Sequence, residues 1–575
     1  TYCGSLLNHC AFNQRQAPGE GLPVMVVDEE IYHRLPSLLI ATVDKFAQMP
    51  WNGRTAMLFG RVNRFCERHG YLAPDVDHPQ ASHPPTKSGL PAAKVVEVGP
   101  LRPPDLIIQD ELHLISGPLG TLVGLYETAV DHIASWEVDG MKVRPKVIAS
   151  TATIRRAEQQ VHSLFLRSVS VFPPQGLDVG DNFFSVQRPP SDAYPGRRYL
   201  GICAPGVRHK TALIQSYVSF LAAAQHIYEQ VKSRDADPWM TLVGYFNSLR
   251  ELAAMRRAVD DTVSTRLKKM NQRGLTRRFL DPWSVQELTS RLSAADIPET
   301  LDRLETPFDP AAQKGKKKAP SQYPIDVLLA TNMISVGVDV ARLGLMVVGG
   351  QPKATAEYIQ ATSRVGRRYP GLVATVYNWA RPRDLSHYER FKHYHATFYQ
   401  YVEALSVTPF SPRAVDRGLS AVLVALARLG VPDYNPNNGA GKLAATHQAV
   451  QHAVSSVVSR AGYITDSQRA KLVEDALAAR LDHWSARISQ TVGAKLGYKG
   501  QNDGTTVGLL QAPGGDDWSL FACLNSLRDV EPTINLILDD GGMDGSAGAW
   551  VFDRPPATPD ADADDEPAFS PSLEP

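Results

Sequence analysis

Two adjacent carboxylates follow a short apolar run early in the chain. The run over residues 106–109 leads into Asp110 and Glu111, and His113 lies two positions further on. A buried strand that ends in two acidic side chains creates mutual repulsion, which is costly unless a metal ion or a proton transfer uses the charge. Phosphoryl-transfer enzymes use such an Asp to hold Mg²⁺ and a neighbouring Glu to orient and deprotonate the attacking water. Taken alone, the pair is equally compatible with the N-cap and first turn of a helix.

A second set of polar residues marks the later part of the chain. Thr331 follows an apolar run, and the segment over residues 360–368 contains Gln360, Arg364 and Arg367. An (i, i+3) pair such as Arg364 and Arg367 is predicted to lie on one face of a helix. Two guanidinium groups on one face repel each other unless an anion is present, and a transferring phosphate is such an anion. The alternative interpretation is a solvated basic helix face.

The elements that would position these residues are short apolar runs that end in small or polar residues. Such runs span residues 38–41, 106–108, 146–149, 241–246, 327–330, 345–348 and 372–377. Each run predicts a buried strand, and most are followed by helical periodicity, as in Leu122, Leu125, Tyr126, Ala129 and Ile133. Alternating strands and helices predict a parallel sheet covered by helices on both faces. Ligands bind such sheets at the carboxyl ends of the strands, where the polar residues fall.

The order of the motifs is more informative than any one of them. In chain order, the motifs are Asp110-Glu111, Thr151-Ala152-Thr153, Phe246-Asn247-Ser248, Gly337-x-Asp339 and Gln360-x-x-x-Arg364-x-x-Arg367. In this order they resemble the motifs of superfamily 2 helicases, from motif II to motif VI. The resemblance implies an α/β fold with tandem RecA-like helicase domains, the first one truncated, and a mainly helical C-terminal region.

The resemblance also implies a role for each matching position. It implies ATP and Mg²⁺ as cofactors, with Asp110 holding Mg²⁺ through water and Glu111 acting as the catalytic base. Nucleotide contacts are implied for Asp110, Glu111, His113, Gly337, Asp339, Gln360, Arg364 and Arg367, the two arginines stabilising γ-phosphate charge during catalysis. Coupling of the nucleotide to the nucleic acid is implied for Thr151, Ala152 and Thr153. Nucleic-acid contacts are implied for Thr42, Lys45, Asn247, Ser248 and Thr331.

Three stretches narrow the resemblance. Residues 102–121, 244–252 and 526–532 are similar to the DrmA helicase family of the bacterial DISARM anti-phage system. This similarity implies an ATP-dependent translocase on DNA, either single-stranded or with a single-stranded overhang, that acts in defence against phage DNA. It also implies a DISARM partner subunit such as DrmB. Two alternatives stay open: a nucleic-acid-binding scaffold that lacks ATPase activity, and an RNA-remodelling helicase.

The phosphate loop of these helicases does not occur in the sequence. No Gly-x-x-x-x-Gly-Lys-Ser/Thr is present, and the nearest match, Gly439-Ala440-Gly441-Lys442-Leu443, lacks the first Gly and the hydroxyl. Without the backbone cradle and its Lys, triphosphate binding should be much weaker. The sequence, which starts with Thr1, is therefore expected to lack an N-terminal part that contains the loop. The alternative is a partner chain that supplies it.

Composition limits the class of protein. The chain has 575 residues, of which 43% are hydrophobic, with 60 Lys plus Arg against 60 Asp plus Glu. These values are ordinary for globular proteins and exclude whole-chain disorder, collagen and a disulfide scaffold. Zero net charge means that any nucleic-acid site must be local. Five scattered cysteines favour a reducing compartment, so we expect a cytoplasmic protein without a membrane span.

Changes in composition predict the domain organisation. We expect the C-terminal part of the first RecA-like domain over residues 1–180, with a Pro-rich insertion at 74–104. The second domain would span 181–385, with an insertion at about 255–322. A mainly helical region would follow over 386–553, and a disordered acidic tail over 554–575.

One further set of residues has the ligand types of a zinc site. Cys66 and His69 are followed by His78 and His83. Their spacing is loose and lies in a Pro-rich region, whereas a zinc site requires tetrahedral geometry. Ordinary loop residues are therefore the favoured interpretation of Cys66 and His69, and a structural zinc site is the alternative.

Overall fold

The computed structural model of the protein describes most of the chain. The described residues are 2, 10–16, 21–73, 78, 81–86, 89–151, 157–174, 176–178, 180–184, 186, 188–194, 196–289, 291–293, 296–309, 322–335, 339–403, 406–491, 495–501, 504–513 and 519–527. All of them belong to one compact unit that spans Thr1–Val530. The predictions for Ala152, Thr153, Gly337 and the acidic tail lie outside the described residues.

Strands and helices alternate through much of the chain. The strands are β1 Arg64–Cys66, β2 Gly70–Leu72, β3 Ser82–His83, β4 Ala93–Glu97, β5 Leu106–Gln109, β6 Trp136–Val138, β7 Met141–Val143, β8 Lys146–Ala149, β9 Arg197–Cys203, β10 Leu242–Phe246, β11 Val285–Leu288, β12 Val327–Ala330, β13 Leu345–Gly349, β14 Gly371–Tyr377, β15 Lys495–Gly497 and β16 Thr506–Gly508. The helices are α1 Asp28–Arg34, α2 Gly117–Ile133, α3 Ala157–Phe165, α4 His209–Val231, α5 Asp237–Met240, α6 Leu249–Ala258, α7 Ser264–Leu267, α8 Asp296–Glu305, α9 Thr355–Thr362, α10 Pro382–Glu389, α11 Phe391–Thr397, α12 Pro412–Gly430, α13 Gln448–Ile464 and α14 Ser467–Gln490. Among the described helices, none combines the length and the apolar character needed to cross a bilayer.

The largest sheet has six parallel strands in the order β11-β12-β10-β13-β14-β9. The sequence predicts its four inner strands, and β10, β12 and β13 are buried at every position. The predicted α/β class with a parallel sheet is thereby confirmed. The two outer strands, β9 and β11, were not predicted. Their sequences, Arg-Arg-Tyr-Leu-Gly-Ile-Cys and Val-Gln-Glu-Leu, contain the polar residues that an edge strand tolerates and a central strand does not.

A separate two-stranded parallel sheet joins β5 to β8. The prediction that these strands are fully buried is wrong for the described structure. Leu106 is 46% exposed and Ile108 61% exposed, whereas Ile107 and Val147 pack against the helical core. Side chains alternate across a strand, so a sheet covered on one face buries only every second residue of an apolar run.

The predicted strand over residues 38–41 is also wrong. The segment is an irregular extended stretch that pairs with no described strand, and Leu38 and Ile40 are exposed. It follows Pro36 and precedes a 3-10 turn over Val43–Gln48. An apolar run alone does not specify a strand when no neighbouring strand completes its hydrogen bonds.

The largest apolar core lies between α2 and the C-terminal helices α12, α13 and α14. Helix α12 is buried over most of its length and ends at Gly430. Helices α13 and α14 follow it within the region over residues 386–553 that is expected to be mainly helical. The helix that follows the carboxylate pair is therefore held in place by residues about three hundred positions away along the chain.

Hydrogen bonds also tie the N-terminal segment to the C-terminal one. Trp51 donates from Nε1 to the carbonyl of Leu524 at 3.2 Å, and Arg428 donates to the carbonyl of Pro50 at 3.0 Å. Asp44 Oδ1 accepts from the Leu527 amide at 3.0 Å. Residues 42–53 and 519–527 are thereby fixed to each other and to the core.

His132 in α2 predicts a pH dependence of stability. Its Nδ1 lies 3.1 Å from Ser456 Oγ of α13, and its ring centroid lies 5.2 Å from that of His452. Burial, aided by His452, lowers the pKa of His132 from 6.5 to about 4. The unfolded chain therefore binds this proton first, so the contribution to stability is complete above about pH 6.5 and falls as the pH drops towards 4.

Urea unfolding measures this effect. Between roughly pH 7 and pH 5, His132 should lower the free energy of unfolding by about 2 kcal/mol. In His132→Gln this part of the pH dependence should disappear, whereas the exposed control His393→Gln should keep it. Equal pH dependence in the wild type and in His132→Gln would contradict the assignment.

Candidate active site

The carboxylate pair lies on a strained turn at the carboxyl end of β5. The Ser150 amide donates to Gln109 O at 2.9 Å, and the Leu112 amide donates to Ser150 O at 2.9 Å. Two residues, Asp110 and Glu111, thus lie between consecutive bonds to the neighbouring strand. Glu111 has a φ of 51°, in the left-handed region, which costs of order 1–3 kcal/mol for a residue with a side chain. Such strain is concentrated at functional sites.

Asp110 presents its carboxylate to solvent at this turn. Its Oδ1 accepts the Glu111 amide at 2.9 Å and the Ser150 hydroxyl. Among the described residues, Oδ2 accepts no hydrogen bond, and the side chain is exposed. A carboxylate oriented through one oxygen, with the other facing water, suits a hydrated Mg²⁺ ion. The donor set therefore fits the predicted role of Asp110.

A buried contact connects this turn to the six-stranded sheet. Gln360, at the end of α9, donates its side-chain amide to His113 Nε2 at 2.5 Å. Because Nε2 accepts, the proton of a neutral imidazole lies on Nδ1, which is 3.3 Å from Glu111 Oε2. Both His113 and Gln360 are buried, with 7% of each residue exposed. The Glu111, His113 and Gln360 side chains thus form one chain of polar contacts.

The environment of His113 keeps its imidazole neutral. Burial lowers its pKa below 6.5, and the Glu111 carboxylate opposes that shift. A neutral ring can accept from Gln360 and donate to Glu111 at the same time, which an imidazolium cannot do. Thr151 adds a weaker contact, with its Oγ1 3.5 Å from His113 Nδ1.

The two arginines do not lie on a helix, and that prediction is wrong. Helix α9 ends at Thr362, and the chain turns over residues 363–369. Within this turn Gly366 has a φ of 72°, in the left-handed region, and a Cβ there would lie 2.7 Å from Gly371 Cα. Arg197 of β9 fixes the turn by donating to Val365 O at 2.7 Å. Arg364 and Arg367 therefore lie in a tight turn that is held against the edge strand β9.

The arginines of this turn differ in their surroundings. Arg367 forms an ion pair with the exposed Asp339. Arg364 is half-buried, and burial together with the neighbouring Arg367 lowers its pKa, against the effect of Glu111 and Asp339. The electrostatic effect of Glu111 on the pKa of Arg364 indicates that the two side chains lie in the same region of the molecule.

Three of the predicted nucleic-acid residues follow strands of the six-stranded sheet. Asn247 follows β10 and donates to Gly349 O at 3.4 Å and to Gln351 O at 3.3 Å. Thr331 is buried directly after β12, which is next to β10. Ser248 caps α6 by accepting the Glu251 amide at 3.2 Å, so it has a structural role whatever else it does. Asn247 and Thr331 therefore both lie at the carboxyl ends of neighbouring strands.

The other two predicted nucleic-acid residues lie in the N-terminal segment. Thr42 precedes the 3-10 turn over Val43–Gln48 and is exposed. Lys45, within that turn, donates to Asp28 Oδ2 at 2.6 Å, and this bond raises its pKa. A nucleic-acid phosphate would have to compete with Asp28 for this ammonium group. These contacts leave the predicted roles of Thr42 and Lys45 untested.

Small hydroxyl residues at the end of β8 could either bond the neighbouring carboxylates or cap the following helix, and the Ser150 hydroxyl bonds to Asp110. Sequence reasoning missed another feature of the site. The contact between His113 and Gln360 joins residues 247 positions apart. The only signal for it in the sequence is that each residue lies in a motif of the same superfamily, and a motif does not specify its neighbours in space.

Comparisons with known proteins identify the family of the chain. Residues 275–369, which include β11–β13, α8 and α9, match the helicase conserved C-terminal domain family. The DISARM protein DrmA of Bacillus paralicheniformis is 48% identical over 425 residues, which cover 72% of this chain and 36% of that protein. The chain therefore spans about a third of the length of this curated relative.

Solved helicase structures are similar to a lesser degree. The DUF1998 helicase MrfA bound to DNA and AMPPNP has a TM-score of 0.39 and 16% identity, covering 56% of this chain and 37% of that one. Mycobacterium smegmatis helicase Lhr, bound to single-stranded DNA and AMP-PNP, has a TM-score of 0.34 and 15% identity, covering 55% and 34%. The domain match and the extended identity to DrmA carry the assignment: this chain belongs to the DrmA family and contains a RecA-like helicase C-terminal domain.

Proposed function

We propose that the protein is an ATP-driven translocase on DNA that acts in DISARM defence against phage. The observation that carries the proposal is the buried hydrogen bond between His113 and Gln360. It joins the turn with Asp110 and Glu111, called the carboxylate turn below, to the end of α9, which leads into the turn with Arg364 and Arg367, called the arginine turn. The similarity to a DISARM protein supports the biological context, and a partner subunit such as DrmB is part of the proposal. The proposal extends to the predicted cytoplasmic location.

Each residue of the site has a distinct task in this proposal. Asp110 would hold Mg²⁺ through water, and the ion would neutralise phosphate charge. Glu111 would orient the attacking water and accept its proton, while His113 keeps the carboxylate in place. Arg364 and Arg367 would stabilise charge that develops on the γ-phosphate oxygens.

The contact between His113 and Gln360 would couple nucleic-acid binding to hydrolysis. Gln360 lies on the domain that includes Asn247 and Thr331, whereas His113 lies beside Glu111. A change in the separation of these parts would break or form a buried hydrogen bond, whose loss costs about 1–3 kcal/mol. The site would therefore sense how closely the two parts approach each other.

A translocation assay tests the proposal. The full-length product of the gene is given a biotinylated single strand that carries streptavidin, and displacement is followed with and without Mg²⁺ and ATP. We expect ATP-dependent displacement from DNA and at least about tenfold slower displacement from RNA of the same sequence. The reverse preference would favour an RNA-remodelling helicase, and tight DNA binding without displacement would favour a scaffold.

Gln360→Ala tests the coupling role. The variant should bind DNA normally but lose DNA stimulation of ATP hydrolysis by about tenfold, since coupling energies are typically 1–3 kcal/mol. The measurement is the ATPase rate of the full-length product as a function of DNA concentration. A matched control is Gln286→Ala on the edge strand β11, where the Gln286 side chain donates to Trp283 O. Unchanged stimulation in Gln360→Ala would refute the role.

A further inference from the structure

A thiol and imidazole rings converge on the small four-stranded sheet, away from the candidate active site. The sheet has the order β2-β1-β4-β3, and Cys66 ends its strand β1. Cys66 Sγ lies 3.8 Å from His69 Nδ1, and His69 Nδ1 lies 2.9 Å from His78 Nε2. The ligand atoms of Cys66, His69 and His78 all lie within 4.8 Å of one another. This cluster is named the Cys-His cluster below.

The surroundings of the cluster are those of a built site. Cys66 is fully buried in a small apolar core with Leu72, Ala93 and Val95. His69 lies in the turn between β1 and β2, and His78 comes from the long connection to β3. Three ligands from three different segments meet at one point.

Neighbouring side chains enclose the cluster. The ring of His83, on β3, packs with its centroid 4.8 Å from that of His69 and 5.1 Å from that of His78. Arg68 donates to His83 Nδ1 at 2.8 Å and to Pro84 O at 3.1 Å. His83 and Pro84 are thereby held against the turn between β1 and β2.

The chemistry of this donor set selects the ion. Soft thiolate with imidazole favours Zn²⁺ over Mg²⁺ or Ca²⁺, which prefer oxygen donors. Two imidazole nitrogens 2.9 Å apart can share at most one proton, and when neither carries it, both lone pairs are available to one cation. Zn²⁺ bonds of roughly 2.0–2.3 Å would bring the three atoms to normal spacing with small side-chain rotations.

We propose that Cys66, His69 and His78 bind one structural Zn²⁺ ion that ties the Pro-rich connection to the four-stranded sheet. The ion replaces a larger hydrophobic core, which this small sheet lacks. The interpretation of Cys66 and His69 as ordinary loop residues, favoured on spacing alone, is therefore replaced. The site is independent of the proposed ATPase.

Metal analysis of the purified chain tests the proposal. We expect about one zinc per chain by mass spectrometry of the metal content. Cys66→Ser and His69→Ala should each fall below about a tenth of that value. The matched controls Cys203→Ser and His393→Gln, which alter a thiol and an imidazole elsewhere, should keep the wild-type content.

A second measurement protects the test against variants that fail to fold. Co²⁺ is added to wild-type chain from which zinc has been removed, and the sulfur-to-metal charge-transfer band is recorded. The band should appear in the wild type and in Cys203→Ser but be absent in Cys66→Ser. Wild-type chain that contains no zinc after purification with added zinc, and that gives no band with Co²⁺, would overturn the proposal. Equal zinc content in Cys66→Ser, His69→Ala and the wild type would overturn it as well.

Discussion

Replacing Glu111 with Gln is expected to lower the kcat of ATP hydrolysis by the full-length product about a thousandfold. The amide keeps the size of the side chain and its contact with His113 but cannot accept a proton from the attacking water. General-base catalysis contributes roughly 10²–10⁴-fold, and here one carboxylate supplies it. The measurement is steady-state phosphate release at saturating single-stranded DNA.

Two controls separate catalysis from folding in this test. Glu137→Gln, on the exposed part of β6, removes one negative charge from the same region and should leave kcat within about twofold. DNA affinity and the unfolding midpoint should be unchanged in Glu111→Gln. If Glu111→Gln hydrolyses ATP at close to the wild-type rate, Glu111 is not the base.

Arg364→Ala is expected to lower kcat by about a thousandfold or more. An arginine that stabilises transition-state charge contributes roughly 10³–10⁵-fold in related phosphoryl-transfer enzymes. Arg364 is half-buried, and Glu111 is close enough to influence its pKa, as expected of an arginine that acts on the same phosphate as the proposed base. Arg364→Lys should restore only a small part of the rate, because an ammonium group lacks the planar fork.

The neighbouring arginines provide matched comparisons. Arg368→Ala, with an exposed side chain in the same turn, should leave kcat within about twofold. Arg367→Ala should give an intermediate loss of kcat, because Arg367 also forms an ion pair with Asp339. A wild-type rate in Arg364→Ala, with loss only in Arg367→Ala, would reverse the assignment of the two residues.

The sequence predicts the inner part of the fold because burial on both faces demands continuous apolar strands. β10, β12 and β13 are buried strands of this kind. The buried helix α12 is apolar over most of its length for the same reason. Strands at an edge, such as β11, have no such requirement, so their residues carry little signal. The run over residues 38–41 fails for the opposite reason: its residues are apolar, but no described strand pairs with it.

The candidate site was predicted residue by residue, but its connections were not. Asp110, Glu111, His113 and Gln360 were singled out by type and order, and the structure brings them together. The hydrogen bond that unites them depends on how two distant parts of the chain pack, which local spacing does not encode. The turn after α9 depends on Gly366 and on Arg197, more than a hundred and fifty residues away, so helical spacing was misleading there. The convergence of Cys66, His69 and His78 likewise depends on the folding of a long connection.

The most direct test of the central claim is the ATPase rate of the full-length gene product with and without single-stranded DNA. The claim is that the carboxylate turn and the arginine turn form one hydrolysis site whose geometry depends on bound DNA. It predicts Mg²⁺-dependent hydrolysis that DNA stimulates at least about tenfold. Tight DNA binding without any hydrolysis, in the presence of Mg²⁺ and ATP, would contradict the claim and identify the protein as a scaffold.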